Sequence, residues 1–288
     1  MTAPMTSSQP TRVRHVLHRK RAVLRDSVAV VLTTARALWK DRFLLRVLGG
    51  AALAMVVALV SWKVAGRAGS PGAHSRLRPL MIGVRLMATL CVQFIVASWL
   101  YSRWIGQGHN RVRDVWRHLG RRLPAFACCA AVLGWLDFAT STSTASSLIR
   151  TVGSFVFGYA LSYAVPASAV FNCGMSRAFH RSYQAFRKTF GADLFAWSGV
   201  WLVTGVVALV TSVPEALDLY TPGSGERPAS GIIGRLLGWA LVVPISLGAL
   251  AVSAGFCTVL FFALERNQAP SGYRKHEVET VSGLQLDD

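Results

Sequence analysis

The apolar positions of this chain gather into six long runs, approximately Leu44 to Val64, Leu80 to Tyr101, Leu123 to Ala139, Leu148 to Phe171, Leu194 to Val213 and Leu237 to Leu264. A helix rising 1.5 Å per residue needs about 20 residues to cross roughly 30 Å of hydrocarbon, so each run is read as a transmembrane helix. The third run is short, and the sixth is long enough to include tilt or an interfacial turn. Two further segments carry apolar residues at helical spacing between basic ones. In the first, Val16, Leu17, Val23, Leu24, Val28, Val31, Ala35, Leu38 and Trp39 recur, with Arg19, Lys20, Arg25 and Arg36 falling mostly between them. In the second, Met175, Phe179, Tyr183, Phe186 and Phe190 share one arc, and Arg177, His180, Arg181, Gln184, Arg187 and Lys188 lie mostly on the other. Both are expected to be basic amphipathic helices at the membrane surface, the alternative being solvated connecting helices packed on the bundle. The fold class expected is therefore all-α: a polytopic transmembrane helical bundle of about six spans with two interfacial helices.

Charge supplies the orientation. The 288 residues are 52% hydrophobic and only 15% charged, yet the formal net charge is +18. Of the lysines and arginines in the connections, Lys63, Arg67, Arg76, Arg78, Arg150, Arg227 and Arg235 fall on one side of a six-span arrangement, and the other side carries about three times as many. The positive-inside rule puts the richer side, and with it both termini, in the cytoplasm. The plasma (inner) membrane is the expected location. An odd number of spans would scramble the alternation. The chain then divides into a basic cytoplasmic N-terminal segment over 1–43, a membrane domain over 44–264 and a cytoplasmic tail over 265–288.

The same distribution narrows the function classes. Nucleic-acid binding needs a basic face on a soluble fold, whereas these arginines flank runs of spanning length. The basic connections point instead to the lipid bilayer and its anionic headgroups, with Arg177, Arg181, Arg187 and Lys188 as the headgroup contacts. The five cysteines show neither metal spacing nor a paired framework, and all lie in or beside apolar runs. The first apolar run follows some 40 residues of basic segment, too long for the charged start of a cleaved signal, and Asp26 argues against a transit peptide. There is no phosphate-binding glycine loop, HExxH, nucleophile elbow or pair of carboxylates within the spans. The seven histidines all sit in connections or tails. No catalytic residue, metal site or cofactor is expected. The connections over Thr140 to Ser147 and Glu215 to Ser230 read as short exposed turns, and no N-glycosylation sequon occurs.

Polar groups inside spans are costly and so mark candidate functional positions. Arg85, Gln93 and Asp137 are the three here. They could converge in a polar cavity with Asp137 paired to Arg85; alternatively Arg85 snorkels outward and Asp137 reaches the headgroups. Pro166 and Pro244 interrupt spans four and six. Gly50, Ala54 and Ala58, and separately Ala251 with Gly255, offer small-residue faces for close helix packing, within the bundle or in an oligomer.

Three short motifs complete the reading: Ala37, Leu38, Trp39, Lys40 and Asp41 before span one; Pro166 followed by Arg181, Ser182, Lys188, Thr189, Phe190 and Gly191; and Pro270, Gly272 and Tyr273 after span six. With the spans they make the chain resemble an uncharacterised family of bacterial and archaeal six-pass membrane proteins, a domain of unknown function. That family more often carries tryptophan at the position of Phe190, and the extended basic N-terminus departs from its pattern. The resemblance implies topology and no activity. The expected function is that of a non-enzymatic multi-pass membrane protein acting through helix packing, lipid contact or a protein partner, homo-oligomer included. The alternative is a transporter or channel for a small solute or lipid.

Overall fold

The computed structural model describes residues 9–68, 71–106, 111–140, 160–161, 163–190 and 229–287. Among them every regular element is a helix: α1 (Gln9–Lys40), α2 (Arg42–Ala68), α3 (Pro71–Trp104), α4 (Arg111–Thr140), a short helical stretch over 163–170, α5 (Met175–Phe190), α6 (Ala229–Arg266) and α7 (Lys275–Ser282). The first, second, third and sixth apolar runs lie inside α2, α3, α4 and α6. The fourth run is described only from residue 160 onward, and the fifth, Leu194 to Val213, lies outside the described residues, as do the 141–147 and 215–228 connections. Among the described residues two stretches, Gly83–Trp104 and Val242–Arg266, are long and apolar enough to cross a membrane.

α1 and α2 are separate helices because Asp41 breaks between them. Its Oδ1 accepts the backbone N–H groups of Phe43 at 3.0 Å and Leu44 at 3.2 Å, an N-cap satisfying two of the donors that a helix start leaves free. α3 and α4 lie antiparallel, with Gly83 beside the Ala130 carbonyl and the Phe94 and Phe126 rings edge to face at 5.7 Å. α3 and α6 meet at their C-terminal ends, where the ring of Phe262 meets both Tyr101 and Trp104 and the Tyr101 hydroxyl donates to Glu265 at 2.6 Å.

These pairings collect the start of α2, the ends of α3 and α6, and Arg122 at one end of the bundle, with Asn172 against Arg122 and Phe171 against Phe261. Arg103, Arg122 and Arg266 thus share that end with α1 and α7. α4 begins at Arg111, twelve residues before its apolar run, so the basic connection is largely a helix with Val115 and Leu119 buried and Arg113, Arg117 and Arg121 exposed.

The tail is folded too. Pro270 to Tyr273 form a turn closed by the Tyr273 N–H to the Pro270 carbonyl at 3.1 Å, and Gly272 sits at φ 91°, where a side chain would be strained. α7 then buries Val278 and Val281 against α1 and α6. Gly283, at φ 68°, ends α7, and the chain returns so that the Asp287 N–H reaches the Asn267 carbonyl at 2.8 Å.

Candidate functional site

The polar residues of the predicted spans fall on two helices. Arg85 is exposed on α3, whereas Gln93, two turns on, is only 2% exposed. Its Oε1 has no hydrogen-bond partner among the described residues, which is costly in an apolar interior. Asp137 lies on α4 with its side chain outside the described set.

α5 has the bounds that its periodicity predicts, but a different face is buried. Met175, Ala178, Ser182 and Ala185 turn inward, Phe179 is half-buried, and Tyr183 is 63% exposed. At 100° per residue the small residues and the aromatic ones occupy adjacent arcs, and the basic residues take the third. Arg177, Arg181 and Arg187 are exposed, and the Lys188 side chain lies outside the described set. Arg181 also stacks over the Phe171 ring at 4.8 Å, which ties the basic arc back to the bundle.

The densest polar arrangement is at the shared basic end. Asp41 is its hub: Oδ2 accepts the Trp99 indole N–H at 2.7 Å and pairs with Arg103 Nη1 at 3.3 Å, while the Phe43 and Trp99 rings lie 4.2 Å apart. One carboxylate thus joins the start of α2 to the end of α3. Beside it Tyr273 is wedged against α1 and α3, its ring edge-on to Trp104 at 5.7 Å. The Thr34 hydroxyl donates to the Val30 carbonyl at 2.8 Å, so the Tyr273 O–H donates to Thr34 Oγ1, at 3.0 Å. Burial pushes the phenol up to about 12.

Between α1, the end of α3 and the turn into α7 lies an open cavity of about 720 Å³. Arg36 and Lys40 line it from α1, Arg103 from α3, and Ser271, Arg274 and Glu277 from the turn and α7. The sequence signals part of this. Arg36 and Lys40 are four apart and must share a helix face, and an aspartate before an apolar run is a cap signal. Nothing local foretells that Arg103 and Arg274 arrive opposite them. A second cavity of about 720 Å³, between α1, α2 and α6, is apolar, with Trp39, Leu53 and Ile245 on its wall. Among the described residues no cluster of side chains has the make-up of a metal site.

Comparison with protein-family models, with curated proteins and with solved structures gives no match.

Proposed function

We propose that this chain is a multi-pass integral membrane protein, six spans with both termini in the cytoplasm of the plasma (inner) membrane. It acts without catalysis, by presenting its basic cytoplasmic end to anionic headgroups and to a protein partner held there. The observation that carries this reading is the large apolar surface that the helices turn outward. Large apolar side chains point outward, among them Leu53 at 66% and Leu80 at 62% exposed, while Gln93, Ser98, Ser168, Ser253 and Thr258 are buried. Water would penalise that arrangement, whereas lipid favours it, because small and polar residues then mediate close helix contact.

The meeting of the C-terminal ends of α3 and α6 also supports it, since second and sixth spans must finish on the same side. The resemblance to six-pass proteins supports the same span number. On α5, the exposed Tyr183 beside the arginines suits an interface, with aromatic groups at headgroup depth and guanidinium groups among phosphates.

Single cysteines in a background lacking the five native ones test the orientation. Gly223→Cys and Ser143→Cys should react with an impermeant thiol reagent applied outside, and Arg113→Cys and His276→Cys only after permeabilisation. Labelling of Arg113→Cys from outside overturns the topology.

A further inference from the structure

The cavity between α1, α3 and α7 carries more positive charge than its neighbours neutralise. Arg103 is paired with Asp41, and Arg274 lies 3.7 Å from Glu277. Arg36 and Lys40 have no acidic partner among the described residues, although they stand one helical turn apart, where like charges repel. Both are exposed at the mouth of the cavity beside the folded tail, and together they leave an excess of about two positive charges facing one space. Hydroxyl donors are also present, from Thr33 on α1 and Ser271 on the turn. Leu100 and Trp104 form an apolar wall, and the volume is in the range that holds a small ligand.

We infer that this cavity binds a phosphate monoester, with Arg36 and Lys40 as the uncompensated cations that receive its charge and Arg274 facing them. The charge count selects the class. A monoester carries close to two negative charges at neutral pH, whereas a diester carries one and would leave half of the excess unmet. Guanidinium forks suit phosphate oxygens, and the lysine adds a point charge. Glu277 does not oppose this, because it is buried in the first turn of α7 and is turned to Arg274. The monoester can arrive from the cytoplasm as a soluble phosphate or from the bilayer as the headgroup of a phosphatidic acid, and the chemistry at the cavity is the same.

The test uses the full chain purified in detergent. Thermal unfolding is followed with inorganic phosphate against chloride of equal ionic strength, and again in nanodiscs of phosphatidylcholine doped with phosphatidic acid or with phosphatidylglycerol. A soluble ligand is indicated if the midpoint rises with phosphate concentration as mass action requires. A lipid source is indicated if phosphate is silent and phosphatidic acid stabilises more than phosphatidylglycerol. In either case Arg36→Gln with Lys40→Gln should weaken the effect by roughly tenfold or more, and without ligand it should melt no lower than the parent because a repulsive pair is gone. Should the double variant fold poorly, Arg274→Gln on the facing turn provides the same readout. The inference is overturned if neither phosphate nor phosphatidic acid stabilises, or if the effect survives these substitutions. Binding in detergent does not depend on which way the chain is inserted, so this outcome and the cysteine labelling fail separately.

Discussion

α1 and α5 read alike in the sequence, as basic helices with one apolar arc, but the bundle treats them differently. α1 is covered by α6 and α7, so Val23, Val30, Val31 and Leu38 become core. Among its described side chains α5 buries only Met175 and small residues, and it leaves Tyr183 outside. Yet they share one trait. In each the buried face is rotated from the apolar arc toward small or polar residues: Ser27 and Thr34 on α1, Ala178, Ser182 and Ala185 on α5. Trp39, at 78% exposed, and Leu32 stay outside on α1 just as Tyr183 does on α5. Helices that turn large apolar groups such as Trp39 and Leu32 outward are suited to lipid. What separates the two is how far the C-terminal tail closes over the stripe, since α7 packs extensively on α1 and only marginally on α5.

The sharpest test of this contrast introduces a charge on each helix. Val30→Asp places an unpaired carboxylate in the core and should cost on the order of 3 to 5 kcal/mol, enough to abolish folded protein in detergent extracts. Tyr183→Asp, on the open face, should change the melting free energy by no more than about 0.5 kcal/mol. A severe loss from Tyr183→Asp would mean that α5 is covered after all.

A smaller effect separates close from open glycines. A Cβ on Gly255 would collide with the Thr34 methyl and press on Leu100, so Gly255→Ala should destabilise by about 1 to 3 kcal/mol. Gly50 has nothing near a Cβ, and Gly50→Ala should gain up to about 1 kcal/mol from helix propensity. Equal outcomes at the two sites, read by detergent thermal melts, would remove the α1–α6 crossing as the tight contact.

A modest change at neutral pH is Tyr273→Phe, which loses one neutral hydrogen bond worth about 1 kcal/mol. Its pH dependence is more telling. The phenol is raised on folding, so its contribution is complete below the ordinary value of 10.0 and disappears as pH climbs to about 12. The gap between parent and variant should close over that window in a pH series of melts. A gap that stays constant would place Tyr273 in water.

The sites divide in the same way as the helices. The bounds of α5 were legible because a period of 3.6 over sixteen residues has no competing interpretation. Asp41 was legible as part of a short motif but not as a hub, because Trp99 is 58 positions away and Arg103 is 62. Arg85 and Gln93 are close to one stripe on a helical wheel, yet α4 and α6 meet α3 so that one is exposed and the other buried. Gly255 stood out only as a small residue, and the reason for its size is a threonine on another helix.

By itself the sequence determined the helices. Apolar runs of spanning length, an aspartate cap at residue 41 and a glycine at residue 272 act through local sterics and hydrogen bonds that neighbouring residues settle among themselves. Only the tertiary structure decided which face of each helix is covered and which charges stand together. Arg36 and Lys40 acquire their setting from Arg103 and Arg274, which are distant in the chain. Coulomb energy falls with separation in space and is indifferent to separation in sequence, so that cavity existed nowhere in the pattern until the tail folded back.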